Sequence, residues 1–520
     1  MSGVFSRKRD CSLSSVYSLC GDASRKIQPP SCKLSIIKKS LVLYWKNKLK
    51  KTVLNQLIAG FFCFGAVFGA QAQKLPESVQ SAFEKAGVSE NDVGIWIAKA
   101  GQTQPVFALN ADRPMQPASS VKIVTTSAAL ELLGPDYRWE THWLSSDFSA
   151  KSGVVRGLVY VGGGDPHYVI ERLWLAAQRL RGLGVRSIEG DIRVDRRLFD
   201  ENEQEQQPMD GQTIRAYNVR ADAALISQRS VCLEIVPDAK SGVAFVTPIP
   251  RMTGFKVTSK VRLEQGPCSN WKKQLKAKFS PDAAVFAGSF NASCGKKIWP
   301  VSLWSPNAYL KGVFSDVLAQ AGIRWKGNVK NSVSGTHGRE LLLETSDPLS
   351  SLVVLTNKFS NNPMARHLFL SLSFADEKGK EEPASLSRSR SVLSQWLQKK
   401  GVNPKETFIE NGSGLSRKTR ISAQGLGRVI AGTLSGPYAA EFVSSLPISG
   451  EDGTMKRRPI EGLAHVKTGR LDGVRSAAGL VRDIRGTDWT VVVFVNSQTA
   501  GESTQAIDQI LSWVGSGRLR

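Results

Sequence analysis

Between residues 137 and 335 the chain changes texture, and that change limits the folds open to it more than any other feature. Short β-like runs, such as Val154–Val161, Gly190–Val194, Val231–Val236 and Phe255–Leu263, are separated there by Gly, Pro, Asp and Asn. The flanks read differently. Pro76–Ala86 reads as helix, Val93–Ala100 and Pro105–Asn110 as two short strands, and Ser119–Leu133 as a helix ended by Gly134 and Pro135. From Leu341 to about Phe442 the helical period returns, in Leu349–Phe359, Pro363–Leu372, Ser385–Lys399 and Ser422–Ser435. The end is β again, Ala464–Lys467, Ser476–Val481 and Trp489–Asn496, before a last helix from Gln505 to Val514. Two early and three late strands predict one shared antiparallel sheet with the terminal helices packed on it. The expected fold class is α+β: residues 73–136 and 336–520 form one domain, and 137–335 form mainly β inserted subdomains.

The front end reads as targeting. Lys46, Lys48, Lys50 and Lys51 precede an apolar stretch, Leu57 to Ala70, and Ala70-Gln71-Ala72 offers a small-x-small cleavage site. Residues 1–72 are therefore expected to be a targeting region with a signal peptide, removed to leave a chain from Gln73. The apolar run is short for a membrane span, although an uncleaved anchor is the competing reading. An exported protein with peripheral or no membrane contact is expected. Of the seven Cys, Cys11, Cys20, Cys32 and Cys63 lie in the segment to be removed; export would allow Cys268 and Cys294 to pair, leaving Cys232. No CxxC pair or His cluster occurs, so neither metal nor cofactor is expected. The formal charge of +24 suits a polyanionic partner. No aromatic-interleaved basic module points to nucleic acid, and none is expected; a carboxylate-bearing wall polymer fits the charge equally well.

Three short motifs carry chemistry. Ser119 and Lys122, three apart at a helix start, project from one face, so a hydroxyl and an amine come within reach. Free amide N–H groups at that start favour developing negative charge. The spacing alone is weak: Ser35/Lys38, Ser269/Lys272 and Ser293/Lys296 share it, and an ordinary helix cap explains Ser119 as well. Ser360-Asn361-Asn362 precedes another helix and supplies a hydroxyl and an amide for proton relay and carbonyl binding. Ser89/Asn91 and Ser305/Asn307 match it too. Lys467-Thr468-Gly469 occurs once, on a strand whose edge suits an extended substrate. Gly469 lets a backbone approach closely, and the charge of Lys467 would lower the proton affinity of Lys122.

In that order the motifs match the set of penicillin-binding proteins and class A β-lactamases. From about residue 75 to 515 the chain resembles the D-alanyl-D-alanine carboxypeptidase/endopeptidase family of class C low-molecular-weight penicillin-binding proteins, peptidase family S13. The supporting segments are 117–134 around Ser119, VGGGDP at 161–166, GDIRVDRRLF at 190–199, AYNV at 216–219, NGSGLSR at 411–417, LPISGEDGTMKRR at 446–458, and VKTGRLDGVRSAAGLV at 466–481. The long gap between Ser119 and Ser360 resembles the two extra domains inserted in that family. The resemblance implies a penicillin-binding/β-lactamase-like transpeptidase fold and a serine D,D-peptidase acting on D-Ala-D-Ala and related cross-links of peptidoglycan in the periplasm. Its partners would be peptidoglycan stem peptides and β-lactam antibiotics. It makes Ser119 the acylated nucleophile and Lys122 its base. Ser360 becomes the relay to the leaving amine and Asn362 the orienter of the substrate amide. Lys467 and Thr468, beside Gly469, bind the terminal carboxylate, and the backbone N–H groups of Ser119 and Arg470 form the oxyanion hole.

Arg470 departs from the family's usual Ser or Thr, and Asn361 from a frequent Asp. The family's acidic contact to the substrate's diamino acid falls near 200–212, where Asp200 and Glu201 are candidates. Two other readings stay open: a serine β-lactamase, which the long insert and the LPISGEDGT segment disfavour, and a non-catalytic wall-binding protein on the same fold.

Overall fold

The computed structural model describes residues 74–204, 208–332, 338–375 and 382–519. The expected targeting region, residues 1–72, lies outside them. No helix among the described residues is long and apolar enough to cross a membrane.

A five-stranded antiparallel sheet organises the two ends of the chain. Its strands run in the order Leu463–Leu471, Val474–Arg482, Asp488–Asn496, Val93–Lys99, Phe107–Leu109. Both faces are apolar, and the strands alternate between them. Ile95, Ile97, Val491, Val493 and Val495 pack against the terminal helices Glu77–Lys85 and Thr504–Gly515. Trp96, Val492 and Phe494 face a second core with Val121, Leu352, Phe369 and Phe442. That core holds the buried helix Lys122–Leu133 against Leu349–Lys358, Asn362–Ser371 and Ala423–Leu434.

The region between these ends has its own core, including Trp143, Tyr160, Leu233, Phe286, Phe290 and Phe314. It carries sheets of seven, five and three strands. Two long helices there went unread in the sequence, besides the single turn Trp271–Gln274. Ile170–Gly182 buries Leu173, Ala176, Ala177 and Leu180, a 3.6-residue stripe. Pro306–Gln320 is capped by Ser305 with Pro306 in its first turn, so the Ser305/Asn307 match is a helix start rather than a site. Strand Arg339–Thr345 also falls past the expected boundary at 336. It pairs with Glu140–Ser149 and extends the seven-stranded sheet. Cys268 and Cys294 are joined in a disulfide, and Cys232 is half-buried. His367 fixes this region to the helix Asn362–Ser371: its Nδ1 lies 2.9 Å from Gly164 O, and its Nε2 accepts from Asp222 N–H.

Candidate active site

The nucleophile turn departs from an ordinary α-helix start. Residues Ala118–Val121 form a 3-10 turn that continues into Lys122–Leu133, and Ala118 has φ 46°. In a 3-10 turn, residues three apart eclipse. Ser119 and Lys122 are brought together in that way, with Nζ 3.0 Å from Oγ. Ser119 caps nothing; its neighbour Ser120 donates to Pro117 O at 2.6 Å.

Lys122 is fully buried and has three partners. Two are pure acceptors, Asn362 Oδ1 at 2.7 Å and Ser413 O at 2.5 Å. As an ammonium, Lys122 donates to all three; once neutral, it can donate two N–H bonds to these acceptors and turn its lone pair to the Ser119 hydroxyl. Burial pushes the Lys122 pKa well below its usual value, and the charges of Lys467 and Arg366 push it the same way. Sequence reasoning missed Ser413, whose contribution is a backbone carbonyl. The Asn-Gly-Ser-Gly turn aims it: Asn411 Oδ1 accepts from both the amide and the hydroxyl of Ser413. Gly414, at φ +80°, packs so closely that a methyl there would lie 2.0 Å from Ala118 O.

Ser360 sits between two helices at φ 56°, and Asn361 caps the second by accepting from Met364 N–H. The middle Asn is thus structural, while its neighbours face the site. Asn357, buried one turn earlier, donates to Thr126 Oγ1 and Ser445 Oγ and pins this turn to the nucleophile helix. Asn362 Nδ2 reaches Tyr217 O at 3.3 Å, a long bond that leaves it available to a substrate carbonyl.

Lys467 projects from the edge strand and is fully buried. Its Nζ lies 3.0 Å from Ser360 Oγ and donates to Thr468 O at 2.7 Å. Burial lowers its pKa to about 7. The outer edge of this strand is paired only at its start. Ala464 N–H donates to Ser449 Oγ and Val466 N–H to Pro447 O. Pleat alternation then turns the N–H groups of Thr468 and Arg470 to the same outer edge, where no further backbone partner occurs among the described residues. A methyl at Gly469 would lie 2.9 Å from Ser119 N, so the strand and the nucleophile turn touch. Thr468 Oγ1 donates to Thr454 Oγ1 at 2.8 Å, a second residue the motifs did not single out.

Ser119, Ser360, Asn362, Thr468, Gly469 and Arg470 line one cleft of about 1050 Å³, with Lys122 and Lys467 buried beneath it. The structure thus brings the residues of the three motifs together. The acidic wall of the cleft differs from expectation. Its acids are Asp210 and, in the turn after the motif strand, Asp472, whereas Asp200 and Glu201 are not among its lining residues, and the Asp200 carboxylate is turned to Asn202 N–H. Burial raises the Asp210 pKa, but hydrogen bonds from Gln212 N–H, Tyr217 OH and Asn218 Nδ2 outweigh it and leave it lowered.

The other matching spacings lead elsewhere. Ser293 Oγ donates to Gly266 O and Lys296 pairs with Glu234. Lys272 lies over the rings of Trp271 and Trp299. Ser89 caps a short turn by accepting from Asn91 N–H, and Ser35/Lys38 fall outside the described residues.

Known proteins show the same arrangement of chain. A D-alanyl-D-alanine carboxypeptidase DacB of Haemophilus influenzae is 24% identical over 447 residues, covering 83% of this chain and 88% of that protein. A D-alanyl-D-alanine carboxypeptidase of an Actinomadura species is 24% identical over 469 residues, covering 85% of each. The crystal structure of penicillin binding protein 4 (dacB) from Haemophilus influenzae superposes with a TM-score of 0.67 at 21% identity, over 85% of this chain and 99% of that one. That likeness establishes the α+β penicillin-binding fold. The D-Ala-D-Ala carboxypeptidase 3 (S13) family profile spans residues 75–515, so the chain belongs to this family.

Proposed function

We propose that this serine D,D-peptidase forms its acyl-enzyme on Ser119. The observation that carries the reading is the contact of Lys122 Nζ with the Ser119 hydroxyl at 3.0 Å, made by a fully buried amine whose pKa is pushed well below its usual value. Lys122 takes the hydroxyl proton as Oγ attacks the carbonyl carbon of the penultimate D-alanine. The amide N–H groups of Ser119 and Arg470 receive the oxyanion. The proton that Lys122 took from Ser119 passes by way of the Ser360 hydroxyl to the leaving amine, which leaves Lys122 neutral again; Lys467, in contact with Ser360, stays charged, and Asn362 orients the substrate amide. Lys467 and Thr468 take the terminal carboxylate beside Gly469, and water then releases the acyl group. Asp210 is the acid placed to meet an ammonium on the substrate's diamino acid. The inserted subdomains of residues 137–335 wall the cleft through Met209, Asp210 and Tyr217. Signal-peptide removal after Ala72 would deliver the enzyme to the periplasm, where its partners are stem peptides and β-lactams.

Mass spectrometry of the mature chain with penicillin tests this reading. The expected result is one persistent adduct on the peptide containing Ser119. An adduct on Ser269 or Ser293 would reject the assignment, and rapid β-lactam turnover without an adduct would make the protein a β-lactamase.

The paired lysines also set a pH dependence. Acylation of the free enzyme needs Lys122 neutral, so its rate rises with pH through that group's lowered pKa. Carboxylate binding needs Lys467 charged, so the rate falls as pH passes about 7. The two groups interact, and the limbs belong to the pair. A bound carboxylate raises the Lys467 pKa, so the alkaline limb of kcat lies above that of kcat/KM. Rates measured from about pH 5 to about pH 10 decide it; kcat/KM still rising at the alkaline end would reject the assigned roles.

A further inference from the structure

A second cavity, of about 830 Å³, adjoins the active-site cleft. Tyr217, Ser360 and Asn362 line both, so the two volumes meet at the relay turn. Its lining is unusual for solvent-filled space. Phe359 is 68% exposed, Ile249 48% and Tyr217 43%, three large apolar or aromatic surfaces left open around one concavity. Arg215 and Lys272 bring positive charge to it, and no ion pair with either occurs among the described residues. Burial lowers the Lys272 pKa, and the charge of Arg215 lowers it further. Glu171 is the one acid among the described lining residues, and it is exposed. One wall includes Ser227 and Gln228, part of a run with Arg229 in which three successive non-glycine residues hold left-handed φ of 44°, 52° and 46°. Such strain is retained where a wall must present fixed groups to a ligand.

We propose that this cavity binds the second, carboxylate-bearing peptide arm of a cross-linked substrate, with Arg215 and Lys272 as its charge partners. The inference rests on the D,D-peptidase reading. A linear pentapeptide has one arm and a single D-alanine to lose, and the cleft of about 1050 Å³ accommodates it. A cross-linked dimer presents a whole peptide on each side of the scissile bond. The second cavity begins at Ser360, the residue nearest the proton delivered to the leaving amine, and is where that further peptide has room. Its carboxylates meet two cations, and its aliphatic parts meet Phe359 and Ile249.

The test compares kcat/KM for a sugar-free cross-linked peptide dimer, the same dimer carrying its glycan, and a linear pentapeptide. It uses the wild-type chain and the variants Arg215→Glu, Lys272→Glu, Arg215→Gln and Lys272→Gln. The expected result is a loss of about tenfold or more on both dimers with charge reversal, a smaller loss with Gln, and pentapeptide cleavage unchanged. Added salt should depress dimer cleavage more than pentapeptide cleavage. Equal losses on dimer and pentapeptide, or none on the dimers, would overturn the proposal. A loss confined to the glycan-bearing dimer would assign the cavity to sugar and overturn it too. The acylation rate with penicillin reports whether each variant keeps an intact active site; where a Glu variant fails that control, the Gln variants and the salt series decide. A wild-type chain that penicillin does not acylate would instead remove the D,D-peptidase reading itself.

Discussion

Ser119→Ala is expected to abolish both penicillin labelling and D-alanine release, a fall on the order of 10⁴-fold or more in the catalysed rate. No neighbour can substitute. Ser120 donates to Pro117 O at 2.6 Å and touches Ser476, so its oxygen is turned from the cleft. Ser360 has an amine at the same 3.0 Å, Lys467 Nζ, but the proposed roles keep that lysine charged for the substrate carboxylate, so it is not available there as a base. The change costs the fold little. Lys122 loses one partner and keeps Asn362 Oδ1 and Ser413 O, and Ser119 caps no helix. One lost hydrogen bond at a half-buried position is worth about 1 kcal/mol. Thermal unfolding within about 4 °C of wild type, with no labelling, is therefore the expected pair of results. Labelling that persists in a folded Ser119→Ala chain would rule out this nucleophile.

The residues that could be nominated from the sequence were those whose side-chain chemistry is rare at a given spacing. Lys467-Thr468-Gly469 is unique in the chain, and it lies on the edge strand beside the nucleophile turn. Weaker motifs needed tertiary partners to separate them from their copies. Ser293 resembles Ser119 in spacing, yet its hydroxyl is spent on Gly266 O and its lysine on Glu234. The helices and strands around the site were legible because hydrophobic period and Gly/Pro punctuation agree there, as in Ser422–Ser435, observed as Ala423–Leu434. In the insert they conflict: Gly, Asp and Pro breaks surround Ile170–Gly182, and the β runs on either side dominated the pattern. Backbone groups left no trace in residue type. Ser413 O meets Lys122 across 291 positions, and only a turn with two left-handed glycines hints at it. Asp210 was hidden for a related reason. Its role follows from Tyr217 and Asn218 folding back to hold it at the cleft, which no local pattern encodes.

Lys122→Met is the second large effect, and it separates base catalysis from packing. Met keeps the unbranched stem and most of the volume in a site with no exposed surface, but it carries no lone pair basic enough to take the Ser119 proton. Acylation by penicillin should fall on the order of 10²–10⁴-fold, the usual contribution of a positioned base. The acid limb of the rate profile should vanish with it, because Lys122 is the group whose deprotonation creates that limb. Stability supplies an independent sign. The folded-state pKa of Lys122 lies well below the unfolded value, so between the two the unfolded chain binds more protons. Wild-type stability attributable to this group therefore rises with pH up to the unfolded pKa of about 10.4. Lys467 contributes in the same direction above about 7. In Lys122→Met the first contribution disappears, so unfolding free energy should depend less steeply on pH than in wild type. Against this, Asn362 Oδ1 and Ser413 O lose a donor, costing about 1–3 kcal/mol for each acceptor left unsatisfied. A variant that acylates at the wild-type rate, or keeps the wild-type pH slope of stability, would show that Lys122 is neither the base nor held neutral in the folded chain.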